Sequence, residues 1–177
     1  IFGLTRGAMQ LALRHGFGFT LQTKSTRVLR DLPLLQELNA RTRCVVQMTL
    51  TTADEALCRK IEPNVSATLE RARALQTLAD AGIPTVAWLT PILPFINDTP
   101  ENLLSVLRLL KDAGVRGVIF FGAGLTLREG SREYFYAQLD RLFPGLKERY
   151  ARTYGLRYEI PSPDNDRLCR LFHDFCE

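Results

Sequence analysis

The first 121 residues alternate between strand-type and helix-type hydrophobic patterns. Four short runs rich in β-branched and aromatic residues predict strands, and the segments between them repeat apolar residues every three or four positions, as amphipathic helices do. The predicted strands are residues 17–23, 44–50, 85–89 and 117–121. This alternation is typical of a parallel sheet wrapped by helices, so the sequence predicts the α/β class.

The helix patterns have recognisable ends. We expect helices over residues 4–15 and 33–40, a third that begins at an N-cap on Ser66, and a fourth that begins at Thr99 with Pro100 in its first turn. Three helices exit through glycines, which favour a left-handed cap: Gly16, Gly82 and Gly114. Beyond residue 121 the alternation stops, and the tail predicts two further helices, over 131–142 and 162–176, that pack as lids.

Four βα units amount to half of an eight-stranded β/α barrel, whose usual size is about 250 residues. A half-barrel has two open sheet edges, whose unpaired backbone groups are unfavourable in water. We therefore expect either a closing partner or a longer natural chain. The predicted domains are residues 1–125, a barrel portion, and residues 126–177, a helical extension.

Composition narrows the class of protein. The chain has 177 residues, 46% of them hydrophobic and 24% charged, which excludes a disordered tail, a collagen-like fibre and a disulfide miniprotein. Its apolar runs are about half of the roughly 20 residues that cross a bilayer, and no leader pattern is present, so we expect a cytoplasmic protein without a membrane span. The net charge of +4 is interspersed rather than collected in a nucleic-acid-binding block.

The four cysteines match no zinc or cluster spacing. Cys44 lies in a predicted strand and is expected in the core, and the others are expected to be reduced thiols: Cys58, Cys169 and Cys176.

In a β/α barrel the working residues follow the carboxyl ends of the strands. Hydroxyls and one amine gather there, which suits a ligand with ribose oxygens and a carboxylate. These positions are Thr23, Lys24, Ser25, Thr49, Thr51, Thr52, Thr90, Pro91, Asn97, Asp98, Gly122, Ala123 and Gly124.

Lys24 is the most informative of them. Its ammonium could hold a carboxylate, act as a Schiff-base nucleophile once desolvated, or be a solvated lysine at the rim. Thr51 or Thr52 could equally cap a short helix over residues 54–60.

Three separated strings resemble the radical S-adenosylmethionine proteins of the spore photoproduct lyase type. They are QTKSTRVLRDLPLLQEL, then VVQMTLTTADEALCRKIEPNVSATLERARALQTLADAGIPTVAWLTPILPFIND, and the tail GLTLREGSREYFYAQLDRLFPGLKERYARTYG, which is similar to the branch called DNA repair photolyase. The likeness covers nearly the whole chain.

The resemblance implies a partial (β/α)6 barrel that carries a four-iron four-sulfur cluster on a CxxxCxxC loop. The cluster chelates S-adenosylmethionine, and one-electron reduction gives a 5′-deoxyadenosyl radical that abstracts hydrogen from the substrate. The implied substrate is a thymine photoproduct, which makes DNA a candidate partner.

Residue by residue, Lys24 matches the family's lysine that contacts the methionine part of the cofactor, and Thr49 matches a serine near the ribose. Ile92 matches the apolar residue near adenine. Glu62 and Arg71 match positions that we expect to form a structural pair bracing the loop under the site. The predicted cofactor-binding residues are Lys24, Ser25, Thr49, Thr51 and Ile92.

The sequence departs from the family in one respect, because it contains no CxxxCxxC. The family places that loop after the first strand, so residues 1–16 correspond to the helix after strand two, and the four predicted strands to strands three to six. We expect the cluster ligands outside this sequence and the 177-residue piece alone to be inactive. The alternatives are a barrel enzyme that uses Lys24 as a Schiff-base nucleophile and a non-catalytic remnant that acts as an interaction module.

Overall fold

The computed structural model describes residues 3–177, so the first two residues of the segment 1–16 lie outside the described part. The described chain divides into two compact units. The first comprises residues 3–89 and Ser105–Ile119, and the second comprises Thr90–Leu104 and Phe120–Glu177.

The first unit is built on a four-stranded parallel sheet. Its strands are β1 (Phe19–Thr23), β2 (Cys44–Thr49), β3 (Thr85–Trp88) and β4 (Gly117–Ile119), and they pair in the order β1-β2-β3-β4. The prediction of an α/β fold with four parallel strands is confirmed. The observed strands are shorter than the predicted ones by up to two residues at an end, since apolar character extends past the last ladder hydrogen bond.

The helices of this unit follow the predicted order. They are α1 (Leu4–His15), α2 (Leu32–Arg41), α3 (Glu55–Ile61), α4 (Thr68–Asp80) and α5 (Pro100–Asp112), of which α5 enters this unit at Ser105. A 3-10 helix over Thr26–Asp31 precedes α2. The glycine signals are confirmed, because Gly16, Gly82 and Gly114 have φ angles of 73°, 76° and 67°. The N-cap of α4 is Ala67, one residue later than the Ser66 that we predicted.

The core of this unit is formed by one face of the sheet and the helices above it. In β2 the side chains at 44, 46 and 48 are buried, whereas those at 45 and 47 are partly exposed, as strand alternation requires. Cys44 is 2% exposed, which confirms its place in the core. The helices contribute fully buried leucines to this core, among them Leu35, Leu38, Leu75 and Leu78.

The second unit holds three helices and a small hairpin. The helices are α6 (Ser131–Leu142), α7 (Leu146–Tyr154) and α8 (Asn165–Cys176), and β5 (Gly124–Thr126) pairs antiparallel with β6 (Glu159–Pro161). Its core is aromatic: the buried Tyr150 contacts Phe95 and Phe135 edge to face. The Tyr150 hydroxyl donates a hydrogen bond of 2.5 Å to the Pro94 carbonyl. We predicted α6 with its observed bounds, but not α7 or the hairpin.

Gly124 is required by the close approach of β5 and β6. Its φ is 157°, and a Cβ there would lie 2.6 Å from the Ile160 carbonyl oxygen. We expect Gly124→Ala to destabilise the protein by about 3 kcal/mol or more, because strain and a backbone clash add. Gly145→Ala is the control, since Gly145 has a left-handed conformation with a φ of 81° but open space around it, and should cost only about 1–2 kcal/mol. Equal losses in urea unfolding would contradict the expectation.

None of the helices in residues 3–177 has the length and apolar character needed to cross a membrane.

Candidate functional site

A cluster of charged and polar groups lies at the carboxyl ends of β1 and β2. We call it the strand-end cluster, and it consists of Lys24, Thr49, Cys58, Glu62 and Arg71. Lys24 follows β1, Thr49 ends β2, Cys58 belongs to α3, Glu62 is the residue at which α3 ends, and Arg71 lies in α4. All five belong to the first unit.

Glu62 bridges the two cations of the cluster. One carboxylate oxygen accepts a hydrogen bond of 2.5 Å from the Lys24 ammonium, and the other accepts one of 2.6 Å from Nη2 of Arg71. The pairing of Glu62 with Arg71 that we predicted is therefore confirmed. The contact of Glu62 with Lys24 was not predicted, because the two are 38 residues apart and carry no shared local pattern.

Arg71 anchors the cluster to the fold. Its Nη1 donates a hydrogen bond of 2.6 Å to the Thr49 carbonyl, and its Nη2 lies 3.1 Å from the Sγ of Cys58. The Arg71 side chain is fully buried, whereas those of Glu62 and Lys24 are 12% and 36% exposed. The cluster thus runs from a fixed, buried guanidinium to an ammonium that reaches solvent.

The charges of the cluster sum to +1, because two cations face one carboxylate. Burial alone would raise the pKa of the Glu62 carboxyl, but the hydrogen bond from Lys24 and the charge of Arg71 outweigh burial and hold that pKa below its usual value. Glu62 is therefore ionised at neutral pH. The remaining positive charge is on the solvent side, where it favours an anionic ligand.

From the lowered pKa of Glu62 we predict how the unfolding free energy changes at acidic pH. A carboxyl that titrates at lower pH in the folded protein than in the unfolded chain stabilises the fold above its unfolded pKa, and the stabilisation is lost as pH falls through its folded pKa. The ordinary pKa of a glutamate carboxyl is 4.5. We expect the difference in unfolding free energy between wild type and Glu62→Gln to be constant above about pH 5.5 and to shrink below about pH 4.5.

Asp31 and Asp98 also have displaced pKa values, but both residues are present in both proteins and their contributions cancel. A difference that stays constant down to about pH 3 would show that Glu62 does not carry this linkage.

Lys24 and Thr49 both lie at the carboxyl ends of neighbouring strands. Lys24 directly follows Thr23, the last paired residue of β1, and Thr23 pairs with Met48, the residue before Thr49. The Thr49 side chain is only 5% exposed, and it is the backbone carbonyl of Thr49 that Arg71 contacts. Lys24 and the Thr49 carbonyl are therefore linked through Glu62 and Arg71.

Ser25 and Thr51 also lie just after β1 and β2, and Ser25 has a local structural role. The Ser25 hydroxyl accepts a hydrogen bond from the backbone N–H of Arg27 and caps the 3-10 helix. Thr51 is 3% exposed. The alternative that Thr51 or Thr52 caps α3 is wrong, because Asp54 is the cap and accepts from the N–H groups of Ala56 and Leu57. Thr52 instead accepts a hydrogen bond from the N–H of Asp54.

The second unit contains a cavity of about 690 Å³, a size typical of small-molecule pockets. It lies between the Thr90–Pro91 peptide, which is cis, and the hairpin. Phe121, which is 78% exposed, and the side chains of Glu159 and Asn165 also line it. Ile92, which follows Pro91 in the sequence, is 3% exposed. Its expected role near adenine stays a prediction.

The described residues offer no ligand set for a metal cluster: residues 3–177 contain no group of three or more His, Cys, Asp or Glu that could hold a metal ion. Cys44 and Cys58 are buried in the first unit, and Cys169 and Cys176 lie on α8 of the second. The donor set of the strand-end cluster does fit the amino-acid end of S-adenosylmethionine, because an ammonium with a net positive site suits a carboxylate.

Comparison with known proteins gives relatives but no family. No family model matches the sequence. Proteins of Mycobacterium bovis and Mycobacterium tuberculosis, both named as uncharacterized, are 30% identical over 167 residues, which is 94% of this chain and 48% of each relative. A protein of Acidianus two-tailed virus, also named as uncharacterized, is 29% identical over 142 residues, covering 78% of this chain and 46% of its own length. The chain thus spans about half the length of the curated relatives that it matches.

Proposed function

We propose that this chain is the carboxyl-terminal part of a radical S-adenosylmethionine enzyme of the spore photoproduct lyase type. The observation that carries the proposal is the strand-end cluster. It supplies a solvent-facing ammonium, backed by an ionised carboxylate and a buried guanidinium, at the edge where β/α proteins bind their ligands.

The order of the strands supports a barrel. Neighbours in the sheet are also neighbours in sequence, so the order does not reverse as it does in doubly wound folds. With right-handed crossovers, that order puts the connecting helices on one face, as in a β/α barrel. We propose that β1 to β4 are strands three to six of a (β/α)6 barrel.

Lys24 would bind the carboxylate of the methionine part of S-adenosylmethionine. Its ammonium has three N–H donors, and among the described residues the structure records a hydrogen bond from it to Glu62 only. The other donors are available to a carboxylate at the solvent side. Thr49 and Thr51, which end β2 and follow it, would lie on the ribose side of the same ligand.

The cofactor, when bound to a reduced four-iron four-sulfur cluster, supplies the radical chemistry that removes hydrogen from the substrate. The chain's own residues do none of the electron transfer. They bind the methionine carboxylate, fix its orientation and keep a positive charge beside it. The resemblance makes a thymine lesion in DNA the proposed substrate.

The ligands of the four-iron four-sulfur cluster are proposed to lie outside this chain. The relatives are about twice as long as the part that this chain matches, which leaves room for a three-cysteine loop.

The Schiff-base alternative finds less support in the geometry. An aldolase-type lysine is desolvated in an apolar pocket, whereas the Lys24 side chain is 36% exposed and is paired with Glu62 at 2.5 Å.

The full-length protein tests the proposal. After anaerobic reconstitution with iron and sulfide and reduction in the presence of S-adenosylmethionine, we expect 5′-deoxyadenosine in the products. Borohydride trapping with carbonyl compounds should give no adduct at Lys24. A protein that binds a full cluster and gives no 5′-deoxyadenosine, or one that traps a carbonyl at Lys24, would overturn the proposal.

A further inference from the structure

Glu62 stands between the ligand-facing amine and the protein interior. Its two oxygens contact two different cations, and the buried one, Arg71, is held in turn by the Thr49 carbonyl and the Cys58 sulfur. The Glu62 carboxylate therefore has a fixed position, set by α4 and β2, whereas the lysine side chain has four rotatable bonds and reaches solvent.

We propose that Glu62 is a positioning residue that holds the Lys24 ammonium in the orientation that binds the ligand carboxylate. This inference rests on the proposed function, because it concerns the same ligand. Glu62 itself does not touch the ligand. It uses one N–H of the ammonium as an anchor and thereby directs the remaining two outward.

The energetic reason is the entropy of the lysine side chain. A free lysine side chain loses rotamer freedom when a ligand immobilises it, and that loss weakens binding. An ammonium that is already held on a buried ion pair has lost much of that freedom before the ligand arrives. Pre-organisation of this kind improves affinity without adding a contact.

Glu62→Asp separates positioning from charge. Aspartate keeps the negative charge but withdraws both oxygens by about 1.5 Å, the length of one carbon–carbon bond. The charge of the site is unchanged, and Arg71 is still held by the Thr49 carbonyl and the Cys58 sulfur, whereas Lys24 loses its anchor point. Glu37→Asp, an exposed glutamate on α2 of the same unit, is the matched control.

The experiment measures equilibrium binding to the full-length protein, without reduction, by calorimetry. The probes are S-adenosylhomocysteine, which carries the free carboxylate, and its carboxamide, which does not. We expect Glu62→Asp to weaken S-adenosylhomocysteine binding about fivefold, to leave carboxamide binding unchanged, and to have no effect when Lys24 is already replaced by methionine. Glu37→Asp should change neither.

The outcomes distinguish the two proposals. If wild type does not bind S-adenosylhomocysteine, the proposed function fails and the positioning role fails with it. If wild type binds and Lys24→Met weakens that binding, but Glu62→Asp acts equally on both probes or equally in the Lys24→Met background, Glu62 is only a structural brace and the positioning role alone is overturned.

If Glu62→Asp does not fold, a measurement on the wild-type protein tests the positioning role of Glu62 instead. The Lys24 ammonium should show NMR hydrogen-bond coupling to the Glu62 carboxyl carbon both without and with S-adenosylhomocysteine. Disappearance of that coupling when the ligand binds would mean that Lys24 leaves Glu62 to reach the ligand, which overturns the positioning role.

Discussion

Replacing Arg71 by methionine is expected to lower the free energy of unfolding by about 3 kcal/mol. The change leaves the Glu62 carboxylate with Lys24 as its partner in the cluster and removes the donors of the Thr49 carbonyl and the Cys58 sulfur. A carboxylate that is only 12% exposed then loses its buried counter-ion. Methionine fills a similar volume, so the loss reports the charge and the hydrogen bonds rather than a cavity.

Arg73→Met is the matched control, because Arg73 is exposed on the same helix, two residues away. We expect it to change stability by less than about 0.5 kcal/mol. Urea unfolding of both variants gives the comparison, and the midpoint of thermal unfolding should fall by roughly 6–12 °C for Arg71→Met. A loss below about 1 kcal/mol for Arg71→Met would show that the buried ion pair does not support the fold.

Lys24→Met is expected to have the opposite profile, with a large effect on ligand binding and a small effect on stability. Loss of a charge-assisted hydrogen bond to a carboxylate is worth about 1.5–3 kcal/mol, or roughly 10- to 150-fold in the dissociation constant for S-adenosylmethionine. Because Lys24 is 36% exposed, solvent screens its pair with Glu62, and the stability should change by no more than about 1 kcal/mol.

The control for Lys24→Met is Arg27→Met. Arg27 is exposed and only three residues away, so this variant removes the same charge from the same neighbourhood. We expect it to weaken S-adenosylmethionine binding less than twofold, as measured by equilibrium dialysis with the full-length protein. Equal weakening by the two variants would mean that the ligand responds only to the general positive field and not to Lys24.

The architecture of the first unit could be predicted from the sequence because its helices are strongly periodic and regularly alternate with apolar, β-branched strands. The strands alternate or are continuously apolar, and the helices end at glycines whose left-handed conformation the structure shows at Gly16, Gly82 and Gly114. The second unit was harder. Each strand of its hairpin has three residues, and α7 is a polar helix whose main contribution to the core is two tyrosines, Tyr150 and Tyr154.

The site was predictable in part. The places of Lys24 after β1 and of Thr49 at the end of β2 could be predicted from the strand pattern, whereas their role in binding stays a prediction. The pairing of Glu62 with Arg71 was expected from the resemblance. The link between Lys24 and Glu62 could not be found, because it depends on how the turn after α3 returns to the end of β1. The cap of α3 could not be predicted either. Aspartate and threonine both suit an N-cap position, and the backbone conformation places Asp54 there rather than Thr52.

The most direct measurement is a crystal structure of the full-length protein with S-adenosylmethionine bound. Our account predicts that the methionine carboxylate lies within hydrogen-bond distance of the Lys24 ammonium, roughly 3 Å, with Glu62 still on the other side of that ammonium. Ligand density at any other place, or a carboxylate held by groups that do not include Lys24, would contradict it.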